Sequence, residues 1–267
     1  MGKTLVIIGA GISLMEIPPN HVFTNDTMAL NVSTIAPQFF DYKTESFHHS
    51  WTYGVFIDKM IASNFYFPER LYYNQSVANH AGTLYMRDKM LTTELLKLPN
   101  IKSIPVNKTQ KMVLVPAIIE AKRLGYEHVI LVGCDFMLYD ERRYWWEYPE
   151  YCDGILMHPN GKAVVNATGL ELIKIKKVTT QVDADDVRSI AYDKYEHHYK
   201  DRHGDEKAYV PVCDTRDGVG LMNNLLYKQY NIFKSVMGGL VGDTFKVSKY
   251  TGMGMLDVPI IDNLNQL

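Results

Sequence analysis

Glycines and a carboxylate at the ends of apolar runs are the first residues in this chain that point to chemistry. "TLVIIGAGIS" leads from an apolar strand into Gly9, Gly11 and Ser13. Two glycines so placed let backbone amides approach a phosphate where a helix begins, because the unpaired N–H groups and the helix dipole both favour an anion. The same spacing also makes a plain tight turn. "HVILVGCD" repeats the theme with an apolar strand, a glycine, a cysteine and Asp135. A carboxylate is costly in an apolar interior, so Asp135 belongs either at the rim of a ligand crevice beyond the strand end or at a helix cap. Asn25 and Asp26, read as lying just past a short strand "HVFTN", can take ribose hydroxyls or a base edge, or make an Asx-turn. The adjacent histidines His197 and His198, with His203, have the composition of a metal site but no ligand spacing, and read as a solvated charged face.

These residues need elements to hold them. "TLVII" and "HVILV" read as strands buried on both faces, and Lys111 to Leu124 carries apolar residues at helical spacing with Arg123 and Gly125 at its end. Pro116 belongs in its first turn or kinks it. A helix that runs straight into a buried strand is the unit of a parallel sheet, and ligands of such open sheets bind beyond the carboxyl ends of the strands. "SLMEI" is expected to open a helix with Ser13 as cap and Glu16 in capping-box position. "HVFTN", "APQFFDY", "RLYYN" and "NIKSIPV" read as short strands. From Met137 the texture becomes aromatic and polar without a period, and residues 137–181 read as a lid-like insertion. Val182 to Lys207 reads as polar and helical, "GLMNNLLYKQYNIFKSVMGG" as an amphipathic helix, and "TFKVSKYTGMGMLDVPII" as a last strand with a glycine-rich turn. The fold class is therefore α/β, a Rossmann-like, mostly parallel sheet with helices on both faces, in one domain over residues 1–267.

Composition narrows the function classes. A formal charge of -2 provides no global basic field for nucleic acid. Cys134, Cys152 and Cys213 form neither a disulfide framework nor a thiolate zinc site, which fits a reducing cytoplasm. The first apolar run is too short for a signal segment or a membrane span.

Four blocks, in order along the chain, carry a resemblance. "IIGAGISLMEI", "HVFTNDTMAL", "AKRLGYEHVILVGCDF" and "TFKVSKYTGMGML" are similar to blocks of the bacterial sialyltransferases of family 42 and of the related 6-hydroxymethylpterin diphosphokinase-like domains. The resemblance implies a Rossmann-like transferase that holds a nucleotide sugar without an obligatory metal, with Gly9, Gly11, Ser13, Asn25 and Asp26 around the nucleotide. The chain departs from the family pattern at Ala10 and Ile12 in the first turn, at Met112, Val113 and Leu114 before the long helix, and at Met137, where the family has its phosphate-stabilising tyrosine. Tyr139, Arg142, Arg143 and Tyr144 are close enough along the same loop to neutralise a leaving phosphate instead, and adjacent arginines suit a diphosphate. Those arginines are equally at home on a solvated loop.

Inverting sugar transfer needs a base for the acceptor hydroxyl and donors for the departing phosphate. His158 lies at roughly the distance from Asp135 at which the family places its base histidine, and Asp135, Asp153 and Asp41 are carboxylate alternatives. The sequence supports three readings. The first is a glycosyltransferase using a UDP-, GDP- or CMP-linked sugar, with a glycan or a hydroxymethylated base of phage DNA as acceptor. The second is a diphosphokinase-like enzyme, which would need magnesium held by carboxylates that the glycine turn does not offer. The third is a catalytically silent nucleotide-binding or assembly protein. For a DNA acceptor the candidate basic stripes are Lys97, Lys102, Lys108 and Lys111, and Lys174, Lys176 and Lys177, with Trp145 or Trp146 available to stack on a base.

Overall fold

The computed structural model describes residues 2–36, 38–41, 46–47, 49–57, 82–93, 95–106, 112–135, 137–138, 144, 171–177, 195–200, 206–214, 218–223, 230–245, 259–261 and 263–267. Its strands are β1 (Thr4–Ile8), β2 (Asp26–Leu30), β3 (Phe40–Asp41), β4 (Ser46–Phe47), β5 (Tyr53–Phe56), β6 (Thr83–Arg87), β7 (Ile101–Ile104), β8 (His128–Val132), β9 (Met137–Leu138), β10 (Glu171–Lys177), β11 (Tyr195–Lys200), β12 (Glu206–Asp214), β13 (Gly218–Asn223), β14 (Val241–Phe245) and β15 (Ile260–Ile261). The helices are α1 (Leu114–Arg123) and α2 (Tyr230–Met237).

Eight strands form one sheet in the order β15-β14-β8-β1-β2-β5-β6-β7, and every pairing in it is parallel. The α/β Rossmann-like class is thus the observed one. From β1 the chain builds outward to β7, returns to β8 on the other side of β1, and then continues to β14 and β15. Right-handed crossovers place the connections of these two halves on opposite faces. Accordingly α1 and α2 touch one another, and both bury side chains in the same core as Leu5, Ile7, Met28, Val129 and Leu131. On the other face Phe56, Leu84 and Met86 pack with Met90. Among the described residues this second face is served by 3-10 turns at Ile12–Glu16, Asn31–Ile35 and Asp88–Met90.

The strands around β1 are the ones that alternation and apolarity define. β1 and β8 have four buried residues each and pair along their whole length from Thr4↔His128 to Ile8↔Val132. Pro116 sits in the first turn of α1, where its missing N–H costs nothing. Three expectations change. "HVFTN" is not a strand; the strand begins where that run ends, at Asp26. The run from Val182 to Lys207 is not helical where it is described, since β11 and the start of β12 occupy it. The front of "GLMNNLLYKQYNIFKSVMGG" is β13, and among its described residues the helix is Tyr230–Met237. In the last two cases antiparallel pairing between strands adjacent in the chain, β11 with β12 and β12 with β13, overrides a helical pattern. The sheet responsible has the order β10-β11-β12-β13-β9. β9 and β10 fall in the segment expected to be a lid; the rest of that segment, apart from Tyr144, lies outside the described residues.

Candidate functional site

The strand order reverses between β1 and β8. In an open parallel sheet the two connections leaving such a pair diverge to opposite faces, which opens a crevice at their carboxyl ends. The residues at that place are Gly9–Ser13 after β1 and Gly133–Asp135 after β8.

The two turns interlock. Gly9 N–H donates to Val132 O at 2.7 Å and Gly11 N–H to Gly133 O at 2.8 Å. Gly133 N–H donates to Ser13 Oγ at 2.8 Å, and Ser13 N–H to Asp135 Oδ2 at 2.8 Å. Glycine is required because of this approach: a Cβ on Gly9 would lie 2.2 Å from Gly133 O, and one on Gly11 would lie 2.4 Å from Asp135 Oδ2. Gly133 also has φ +64, a left-handed conformation that glycine adopts without strain.

This changes what the first motif does. The segment after β1 is a five-residue 3-10 turn capped at Gly11, so Ser13 is not the cap. The amides of Gly9, Gly11 and Ser13 are spent inside the protein and do not form an open phosphate cradle. Asp135 fills the anion position of that turn, which is the capping alternative raised by the sequence, realised across 122 residues of chain. It is 6% exposed, not solvated. Burial pushes its carboxyl up to about 7, and the Ser13 hydroxyl and amide offset only part of that shift. Its neighbour Cys134 is buried and its thiol is pushed up by the same desolvation, so it is a packing residue.

Asn25 and Asp26 do not belong to this edge. Asp26 pairs with Leu5 and Ala29 with Ile8, so the first two lie at the amino ends of their strands. At about 3.3 Å per residue that is roughly 10 Å or more from the glycine turns. Asn25 Nδ2 donates to the carbonyls of Gln266 and Leu267. Asp26 accepts from Tyr126 Oη at 2.5 Å and Thr52 Oγ1 at 3.3 Å and pairs with Lys3 Nζ at 3.2 Å. Both side chains are structural ties, and neither can share one ligand with Gly9, Gly11 and Ser13.

The residues that do follow β2 at the carboxyl edge are Asn31 and Ser33. Asn31 has φ +49 and accepts from Ile57 N at 3.3 Å. The buried Ser33 Oγ accepts from Leu30 N at 3.0 Å and donates to Ile8 O at 2.9 Å, stitching the ends of β1 and β2. An Asn-x-Ser closing the apolar run "TMAL" was the available signal, hidden by placing the strand five residues too early.

Tyr139, Arg143, His158 and Asp153 lie outside the described residues, as do Arg142, Trp145 and Trp146. Asp41 is the last residue of β3. His197 and His198 sit on β11, and His198 Nδ1 lies 2.6 Å from Glu206 Oε1. Among the described residues no three His, Cys, Asp or Glu side chains group as a metal site. Of the first lysine stripe, Lys102 is not beside the crevice: it is on β7, at the sheet edge five strands from β8, about 24 Å away at the usual strand spacing. Lys108 and Lys111 lie outside the described residues. No described helix is long and apolar enough to cross a membrane.

No family profile and no curated protein sequence matches the chain. Two solved structures are similar to it, both of the sialyltransferase CstII. One, from Campylobacter jejuni, is a complex with the substrate analogue CMP-3FNeuAc, at 15% identity and TM-score 0.31. The other is a variant in complex with CMP, at 15% identity and TM-score 0.33. Each alignment covers 54% of this chain and 63% of the other, so the chain spans less than two thirds of the length of these neighbours.

Proposed function

We propose that this protein is a glycosyltransferase that transfers a sugar from a nucleotide-sugar donor to an acceptor hydroxyl, with the donor in the crevice between β1 and β8. The observation that carries the reading is the coincidence at one place of the strand-order reversal, two interlocked glycine turns and a buried carboxylate of raised pKa. Strongly perturbed ionisable groups cluster at functional sites. The four sequence blocks resembling family 42 supply the reaction class, and the first and third of them form this edge.

In this reading His158, in the insertion between β9 and β10, takes the acceptor proton as the anomeric carbon is attacked from the face opposite the leaving group. Arg143 and Tyr139 of the same insertion hold the departing phosphate. The insertion starts two residues after Asp135, so it is tethered at the crevice mouth. The residues over 137–181 then act as a lid within one domain. The acceptor is a hydroxyl of a glycan or of a hydroxymethylated base in DNA, and transfer that falls steeply with salt separates the second from the first.

Thermal unfolding against UDP-, GDP- and CMP-sugars and adenine nucleotides tests the donor. A selective donor at about a hundred times its Kd adds about 2.7 kcal/mol, and hydrolysis or transfer of that donor completes the case. Stabilisation without turnover identifies a silent nucleotide binder. Indifference to every nucleotide sugar rules the proposal out.

A further inference from the structure

We infer that Asp135 makes the carboxyl edge between β1 and β8 a seat for a hydroxyl-bearing ring of the donor, its ribose or its sugar, and turns the donor's phosphates away from the glycine turn. The inference rests on the nucleotide-sugar reading and specifies which part of the ligand meets this edge. A glycine turn receives a phosphate through free amides, but here those of Gly9, Gly11 and Ser13 are committed to Val132 O, Gly133 O and Asp135 Oδ2, and that of Leu14 to Gly11 O. The five-residue 3-10 turn that follows has too few aligned peptides to attract an anion, and its anion position is filled by a carboxylate of the protein. A phosphate placed against that carboxylate would meet like charge in a partly desolvated site.

A hydroxyl meets the opposite situation. Asp135 is more than nine-tenths buried, and among the described residues its hydrogen bonds come from Ser13 alone. A carboxylate has about four acceptor positions, and burying it is favourable only when donors fill them. Ring hydroxyls are such donors, and a bond from a hydroxyl to a charged acceptor is the stronger kind. The residue therefore sets specificity by accepting from the sugar-like part of the ligand.

Binding is measured by calorimetry with UDP, GDP and CMP, their 2′- and 3′-deoxy counterparts, the corresponding nucleotide sugars and their deoxy-sugar analogues, and inorganic pyrophosphate. In the wild type, removal of one ring hydroxyl is expected to weaken binding about tenfold or more. Contrast among the nucleotides identifies the ribose, and contrast confined to the nucleotide sugars identifies the sugar. Asp135→Asn keeps an oxygen for the Ser13 amide; in it the contrast should shrink severalfold while pyrophosphate binds at least as tightly as to the wild type. Asp135→Ser is the second variant, with the same expectation. Equal binding of hydroxyl and deoxy ligands to the wild type, which needs no substitution, overturns the inference and leaves the nucleotide-sugar reading standing. Weaker pyrophosphate binding in both variants also overturns it. If no nucleotide or nucleotide sugar binds at all, the underlying reading fails first and takes this one with it.

Discussion

Two aspartates flank the central strands of the sheet, Asp26 at the amino edge and Asp135 at the carboxyl edge, and their surroundings differ in kind. Burial alone would raise the carboxyl of Asp26, but the Tyr126 hydroxyl, the Lys3 ammonium and the Thr52 hydroxyl more than compensate and hold it below its ordinary range. Asp135 is more deeply buried, has no cation among its contributors, and is left near 7. The amino edge is thus electrostatically balanced, with Lys3 also 4.1 Å from the centre of the Tyr126 ring. The carboxyl edge carries an imbalance that folding alone does not require. It is at the carboxyl ends of the strands that ligands of open parallel sheets bind.

The strongest way to break the comparison is to remove the contact that creates the carboxyl edge. In Gly9→Ala the new Cβ would lie 2.2 Å from Gly133 O, a backbone atom that cannot swing aside. A loss of roughly 3 kcal/mol is expected in urea unfolding, with β1 and β8 forced apart. Gly11→Ala meets a side chain, Asp135, as well as Gly133 O at 2.9 Å, so the carboxylate has to move and its titration should change along with stability.

The pH dependence of the two aspartates runs in opposite directions. The folded pKa of Asp135 is raised, so its contribution is present below the unfolded value of 3.8 and is lost as pH climbs through about 7. Across that window stability should fall by at most roughly 1.4 kcal/mol per pH unit from this group, and Asp135→Asn should lack that slope and exceed the wild type above neutrality. The folded pKa of Asp26 is lowered, so its contribution is present above 3.8 and is lost as pH falls through the folded value. Asp26→Asn should cost about 1 kcal/mol at neutral pH, because the Lys3 pair is partly exposed, and nothing in strong acid. Parallel slopes for the two variants would mean that the edges are alike after all.

The smallest effect concerns Lys3. Its side chain is 51% exposed in the pair with Asp26, so Lys3→Ala should cost about 0.5 kcal/mol at low salt and less at 1 M. A larger loss would place more of the amino edge's balance on charge and less on the Tyr126 hydroxyl.

Much of this comparison was legible in the residues. Runs such as "TLVII" and "HVILV" are apolar throughout because both faces of a central parallel strand are covered, and the apolar period of α1 and its charged, glycine-capped end fixed that helix to within a few residues. The glycines and Asp135 were recognisable as a site because strand ends are where backbone turns and polar groups emerge. The placing of Asn25 and Asp26 was not, because "HVFTN" and "DTMAL" are equally good short strands in isolation and only pairing with β1 and β5 selects the second. Which of the two runs forms the strand decides at which edge of the sheet Asn25 and Asp26 lie.

The local sequence determined which segments are buried strands, where the chain turns on glycine, and that a carboxylate closes β8. Tertiary structure decided what those groups are to one another. Gly9 and Gly11 serve backbone approach and not phosphate contact because β8 returns beside β1, bringing the Gly133 carbonyl within hydrogen-bond reach of the turn. Asp135 caps a turn 122 residues away because the same adjacency places Ser13 N–H in front of it. Parts of the helical-looking tracts after residue 182 become strands for a related reason: β11, β12 and β13 supply hydrogen-bond partners to one another as successive antiparallel neighbours, with β10 and β9 on the outer sides, and that pairing outweighs the preference of each segment read alone.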